Sequence, residues 1–164
     1  MGVVSPDGKL AANGASILET ATGKKLCDLE KKGNSITHLG SFSPDGKLLA
    51  ASVSRWQVNL YDSQSGKLVR SMDWPHENKE LPTGGTACMD IAFMPNGKTL
   101  LASSHDTGII YHFDVQSGIQ LRRWIASPNR ISNMKLSQDG SRLAVLESAK
   151  GCCEQGHFES WAKS

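Results

Sequence analysis

The stretch PNGKTLLASSHDTGIIYHFDVQSG, residues 95–118, decides how this chain folds. Asn96-Gly97 is a tight-turn pair, because both residues tolerate positive φ. Residues 99–103 are a short apolar run, as a buried strand is. Residues 105–108 interrupt it. Ile109, Tyr111 and Phe113 then alternate with Ile110, His112 and Asp114, the two-residue period of a strand. Ser117-Gly118 makes a second turn. Outward from this stretch, the unit recurs. Ser5-Pro6-Asp7-Gly8, Ser43-Pro44-Asp45-Gly46 and Ser137-Gln138-Asp139-Gly140 match Met94-Pro95-Asn96-Gly97.

The glycines of these turns lie 38, 51 and 43 residues apart. A four-stranded propeller blade repeats every ~40–45 residues. After each turn comes an apolar strand: residues 10–12, 48–51, 100–102 and 143–146. Leu and Ala are weak strand formers, but these runs lie between turns and are too short for a stable helix. The next strand is Ser16–Glu19, Gln57–Asp62, Ile109–Asp114 and, in the fourth copy, 157–161. Thr22-Gly23, Ser65-Gly66 and Ser117-Gly118 follow as a second turn class. Leu26/Leu29, Val69/Met72 and Leu121/Trp124, three and six residues beyond those glycines, define a third strand column. A fourth column precedes the first turns. It reads Phe42, Gly40, His38; then Phe93, Ile91, Met89; then Leu136, Met134, Ser132, one buried face of period two. The fold expected is all-β: a propeller-type array of four-stranded antiparallel blades. The copies run over about 1–30, 31–72, 84–125 and 129–164, with 73–86 as an inserted connection.

With 164 residues, 38% hydrophobic and 21% charged, the chain fits one globular domain. A net charge of +2 gives no reason to expect nucleic acid or an anionic membrane as partner. No apolar run approaches the ~20 residues that span a bilayer, and the first turn leaves no room for a signal-peptide apolar core. Cys27, Cys88, Cys152 and Cys153 have no framework spacing and are read as reduced thiols of a cytoplasmic protein. No phosphate-loop motif occurs. No cofactor is expected.

The run Phe-Ser-Pro-Asp-Gly-Lys-Leu-Leu-Ala at 42–50 and Leu-Tyr-Asp…Ser-Gly-Lys-Leu at 60–68, repeated in part at 93–101 and 113–118, resembles the WD40 repeat family. Tyr61-Asp62 and Phe113-Asp114 stand where that family places its Trp-Asp pair. The resemblance covers nearly the whole chain and implies protein–protein scaffolding. The chain departs from the family in lacking its Gly-His pair before the innermost strand. Ser103 and Asp106 match two members of the family's hydrogen-bonded set, whose partners are missing, so packing must hold the blades. Four copies, the first shortened and the last without its outer strand, make an incomplete ring, either a fragment of a longer propeller or a half-ring that needs a partner. Such an array leaves strand edges and an apolar blade face open to self-association.

The resemblance implies that blade connections and middle hairpin loops share one face. Three segments there are candidate partner-binding residues. The longest connection carries Trp74, His76, Glu77 and Lys79, an aromatic anchor among charges, or a solvated insertion with Trp74 folded onto its own blade. Arg55 and Trp56 lie on one hairpin loop, His105 and Asp106 on the next; each pair is otherwise a plain turn. Ser104-His105-Asp106 is no catalytic triad, since adjacent residues do not converge in space. His38 reads as a core or channel histidine and Asp90 as a channel-lining carboxylate. Cys152, Cys153 and His157 lack the spacing of a zinc site. Arg122-Arg123-Trp124 reads as an outer-strand surface with Trp124 buried. No metal and no catalytic set is expected, and the chain is read as a non-enzymatic scaffold that binds protein partners. A sensor or regulatory segment of a larger protein is the alternative, with a propeller enzyme behind it.

Overall fold

The computed structural model describes residues 2–31, 38–54, 57–73, 88–104, 107–148 and 154–160. Fifteen strands and no helix occur among them. Blade 1 is β1 (Val3–Val4), β2 (Leu10–Asn13), β3 (Ser16–Glu19) and β4 (Lys25–Asp28). Blade 2 is β5 (His38–Phe42), β6 (Leu48–Ser54), β7 (Gln57–Asp62) and β8 (Leu68–Asp73). Blade 3 is β9 (Cys88–Phe93), β10 (Thr99–Ser104), β11 (Ile109–Asp114) and β12 (Gln120–Ile125). Blade 4 has three described strands, β13 (Arg130–Leu136), β14 (Arg142–Ser148) and β15 (Glu154–Ser160). In each blade the strands pair antiparallel in chain order. The first strands of successive blades lie against one another and line an axis.

Three apolar clusters hold the blades together, one per junction. Ala12, Ile17 and Leu29 of blade 1 meet Phe42, Leu49, Ala51 and Tyr61 of blade 2. Ala50, Val58, Leu60 and Met72 meet Ile91, Phe93, Leu100, Ala102, Tyr111 and Phe113. Leu101, Ile110 and Ala126 meet Ile131, Met134, Leu143 and Val145. Leu49 and Ala50 thus serve opposite junctions, as do Leu100 and Leu101. A strand apolar on both faces is one buried on both faces. Small alanines at 12, 50, 51 and 102 let the sheets approach closely.

The turns explain their own sequence. Ser43 Oγ donates to Asp45 Oδ1 at 2.6 Å and accepts from the Leu48 N–H at 2.9 Å. The Asp45 carboxylate accepts in turn from the Lys47 N–H. Ser5/Asp7 and Ser137/Asp139 repeat this pattern. In blade 3 only Asn96 Oδ1 remains, accepting from the Lys98 N–H, and Met94 turns into the blade 3–4 cluster. Asp62 and Asp114 cap the second turn class, each accepting from the N–H and hydroxyl of the serine three residues on. Their neighbours Tyr61 and Phe113 are buried. The aromatic–Asp pair therefore divides into a core plug and a turn cap.

Successive turns also stack. A Cβ on Gly97 would lie 3.7 Å from Pro44 Cδ, and one on Gly140 would lie 2.7 Å from Pro95 Cδ. On the outer side, Glu30 N–H donates to the Gly66 carbonyl, and Arg70 Nη1 donates to the Ser117 carbonyl at 3.1 Å. Each Ser-Gly turn seats on the outer strand of the blade before it.

Three details differ from the sequence reading. On the outer strands a β-bulge falls at Leu26, Val69 and Leu121. The extra residue throws each of these side chains outward, while Leu29, Met72 and Trp124 turn into the junctions. Bulges on edge strands twist them away from further pairing. On the innermost column, the extra residue is Met89 in blade 3 and Ser132 in blade 4. Ile131, not Ser132, therefore holds the buried position. Last, the third strand of blade 4 begins at Glu154 rather than at 157.

The turn aspartates make the fold acid-sensitive. A serine hydroxyl, then a backbone N–H, holds the Asp7, Asp45 and Asp62 carboxyls below the usual carboxylate range. Ser137 and Ser141 do so at Asp139. Burial, and then the Arg122 charge, pushes His112 down. A group with a folded-state pKa below its unfolded value stabilises the fold above the unfolded value and loses that contribution as pH falls. Denaturant midpoints should start to decline below about pH 6.5 through His112 and fall more steeply below about pH 4 through the aspartates. Asp45→Asn should flatten the lower limb. A midpoint constant from pH 5 to pH 3 would refute this.

Candidate functional site

The eight candidate residues Arg55, Trp56, Trp74, His76, Glu77, Lys79, His105 and Asp106 lie outside the described residues. The strands that carry them are described, and their pairing fixes where the segments start and stop. Gln57 pairs with Asp73 at one end of blade 2. Gln57 Nε2 donates to Asp73 Oδ1 at 2.7 Å and clamps that corner. In blade 3, Ser104 pairs with Cys88. The described strand ends Ser54, Gln57, Asp73, Cys88 and Ser104 lie on the rim where β6, β8 and β10 end.

The described part of this rim continues into blade 4. Gly108 has φ +65° and lies under the loop that follows β12, whose Ala126 and Ser127 N–H groups both donate to its carbonyl. Ser127 Oγ accepts from the Asn129 N–H at 2.8 Å, and Asn129 Nδ2 donates to Glu147 Oε2 at 2.9 Å. The rim loop of 126–129 is thus tied down at both ends.

Asp90 is not a free channel carboxylate. Its Oδ2 accepts from the Met134 N–H of blade 4 at 3.0 Å, and its Oδ1 accepts from the Ile91 N–H. Ser103, buried, donates to the Asp90 carbonyl and accepts from its N–H. This network ties the innermost strands of blades 3 and 4 across the junction. The sequence signal is its type: Asp90 is the one acid among the described innermost strands. Asp90→Ala should cost about 1–3 kcal/mol, because the Met134 N–H loses its acceptor; Asp90→Asn, which keeps one acceptor oxygen, should cost less. Urea unfolding of both variants checks the order, and equal losses would contradict it.

Among the crevices between described residues, two lie away from that rim. One, of about 580 Å³, lies along the axis between Ser41, Asp90, Ile91, Met134 and Lys135, with Pro44 and Pro95 at its turn end. Ser41 Oγ is buried there with no hydrogen-bond partner among the described residues. The other, of about 410 Å³, lies between blades 1 and 2 beside Asp7, Asp45, Lys47 and Asp62. Its carboxylates are engaged by their own turns. No group of three or more His, Cys, Asp or Glu is placed to hold a metal ion among the described residues. His38 and His157 lie on β5 and β15, while Cys152 and Cys153 fall outside the described residues. Trp124 is half-buried rather than buried, with the Arg122 guanidinium 5.2 Å from its ring centroid. No described helix is long and apolar enough to cross a membrane.

The hydrazine synthase of Kuenenia stuttgartiensis is similar in structure. It superposes with a TM-score of 0.77 at 18% identity, over 97% of this chain and 45% of that one. The chain thus spans less than half the length of that relative. At such identity the likeness shows the propeller fold and carries no chemistry across. No curated protein sequence matches. The family model described as the anaphase-promoting complex subunit 4 WD40 domain matches residues 9–90, which is half of the chain and runs from the first turn through blade 2 into β9. The blades, their turn caps and this match together place the chain in the anaphase-promoting complex subunit 4 WD40 domain family.

Proposed function

We propose that the chain is a non-catalytic scaffold that binds a protein partner through the rim of blades 2 and 3. The observation that carries this reading is the pairing of Gln57 with Asp73 and of Ser104 with Cys88, which sets these described strand ends on one rim. On this reading the intervening segments, rich in aromatic and charged residues, form one binding edge. Trp56 and Trp74 are the anchors, and Arg55, His76, Glu77, Lys79, His105 and Asp106 supply the polar surround. The 73–86 stretch acts as the inserted connection between blades. Membership in a family named for a subunit of a complex supports a role in holding proteins together. The same reading puts the protein in the cytoplasm, with Cys27 a reduced thiol.

The test is affinity capture from the source cell, with quantitative mass spectrometry of what is retained. Wild type should hold a defined protein in stoichiometric amount. Trp74→Ala/His105→Ala should lose it at least tenfold, and Leu121→Ser on the outer strand should not. Turnover in a hydrolase panel that survives repurification and is lost in His38→Ala would overturn the scaffold reading.

A further inference from the structure

The outer strands of blades 1, 2 and 3 share one plan and differ at their ends. In blades 1 and 2 the residues one and seven beyond the turn glycine are charged: Lys24 and Glu30, then Lys67 and Asp73. Charges on an outer strand discourage other chains from pairing with it. Blade 3 has Ile119 and Ile125 at these positions. Ile119 is 63% exposed and Ile125 71%, and Leu121 between them is 54% exposed. The guards of the first two blades are thus replaced by apolar side chains that face solvent.

The backbone of β12 is also set out for pairing. Among the described residues β12 is the last strand of its sheet, with β11 as its one neighbour. The bulge at Leu121 blunts one end, and from Arg122 to Ile125 the register is regular. Alternate residues of an antiparallel strand bond toward the partner and away from it. The Gly108 carbonyl accepts from the Ala126 N–H, so by alternation Trp124 and Arg122 bond toward β11. Ile125 and Arg123 then turn their N–H and C=O groups outward.

Charge selects the occupant. β12 holds Arg122 and Arg123 and no acid. The acids of the neighbouring described strands are engaged elsewhere: Asp114 caps its turn through Ser117, and Asp90 accepts from the Met134 N–H. The Arg122 charge reaches His112 and adds to burial in lowering its pKa. We propose that β12 takes an extended acidic segment of a partner protein as a further strand of blade 3, with two adjacent acids opposite Arg122 and Arg123 and apolar residues beside Leu121 and Ile125. Main-chain bonds to an open edge give such a strand its affinity, and side-chain pairs give it specificity. A second copy of the chain fits less well, because two antiparallel β12 strands would bring arginines together. This concerns the outer edge and does not depend on the rim.

The test is fluorescence anisotropy with a labelled heptapeptide, threonine at each end and two adjacent glutamates flanked by valines between them. The full chain should bind it and should not bind the same peptide with lysines in place of glutamates. Arg122→Glu/Arg123→Glu should weaken binding at least tenfold. Ile125→Pro, which removes one outward N–H and no charge, should do the same. Circular dichroism checks that each variant folds; if Ile125→Pro does not, the glutamate peptide methylated at alternate backbone nitrogens replaces it and should bind at least tenfold more weakly. The rim variant Trp74→Ala/His105→Ala should bind as wild type does. No binding by the wild-type chain, equal binding of both peptides, or full binding by Ile125→Pro or by the methylated peptide overturns the proposal. So does loss in the rim variant, or a dimer in sedimentation that the peptide dissociates, which would give the edge to a second copy.

Discussion

Phe113→Ala is expected to lower stability by about 3–5 kcal/mol, the usual cost of removing a buried aromatic ring. Phe113 is fully buried and sits at the centre of the blade 2–3 junction, with the Tyr111 ring centroid 6.4 Å away. The backbone on either side is pinned. Its register partners are Leu100 and Gln120, and the next residue, Asp114, caps the turn. The sheets therefore cannot close over the missing ring, and the cavity persists. Against a total of roughly 5–15 kcal/mol for a domain, the loss is large. Urea titration should show a lower midpoint with an unchanged slope. Ile119→Ala, at a side chain 63% exposed, should change almost nothing. A loss below about 1 kcal/mol for Phe113→Ala would mean that the junction repacks and is not the rigid contact described.

Gly108→Ala should be the most damaging glycine substitution. An L-residue at φ +65° is strained by about 1–2 kcal/mol whatever its surroundings. Here the added Cβ would also fall onto the Ser127 carbonyl oxygen and lie 2.6 Å from that of Asn129. Both belong to the tied rim loop, so relief requires breaking the bonds to Gly108 or Glu147. A total loss above about 3 kcal/mol is expected. Gly8→Ala is the control. Its φ is +74°, but a Cβ there meets nothing within 4 Å, so it should lose only the conformational part. Thermal melts of the two variants side by side measure the difference, and equal shifts would remove the steric argument.

Much of this architecture was legible in the chain. Period two in Ile109–Asp114, and turns repeated in phase at Gly8, Gly46, Gly97 and Gly140, led to the blades. What escaped was local. Leu121 and Leu26 look like core residues by counting from the glycine, but a bulge adds one residue and reverses the face. Ser132 was displaced from the core column by the same kind of insertion. A bulge leaves no compositional mark when the inserted residue is an ordinary one, so alternation alone misplaces its neighbours. The serine opening the Ser-Pro-Asp-Gly turns has no role visible in sequence, yet in the fold it bonds both the aspartate and the strand beyond. Asp90 was placed in the right column, and its bond to the next blade was not. A contact between residues 90 and 134 has no sequence signal without the fold. The rim candidates rest on residue type alone and lie outside the described residues.

The separateness of the three apolar clusters has a mechanical consequence. Every blade is held only by the blades beside it, so cohesion passes along the row link by link. Loosening one junction should leave the others standing, and blades 2 and 3, covered on both faces among the described residues, should loosen last. Amide hydrogens in Leu60 and Leu101 should then be the slowest to exchange, and pulling on the chain should peel sheets off one at a time.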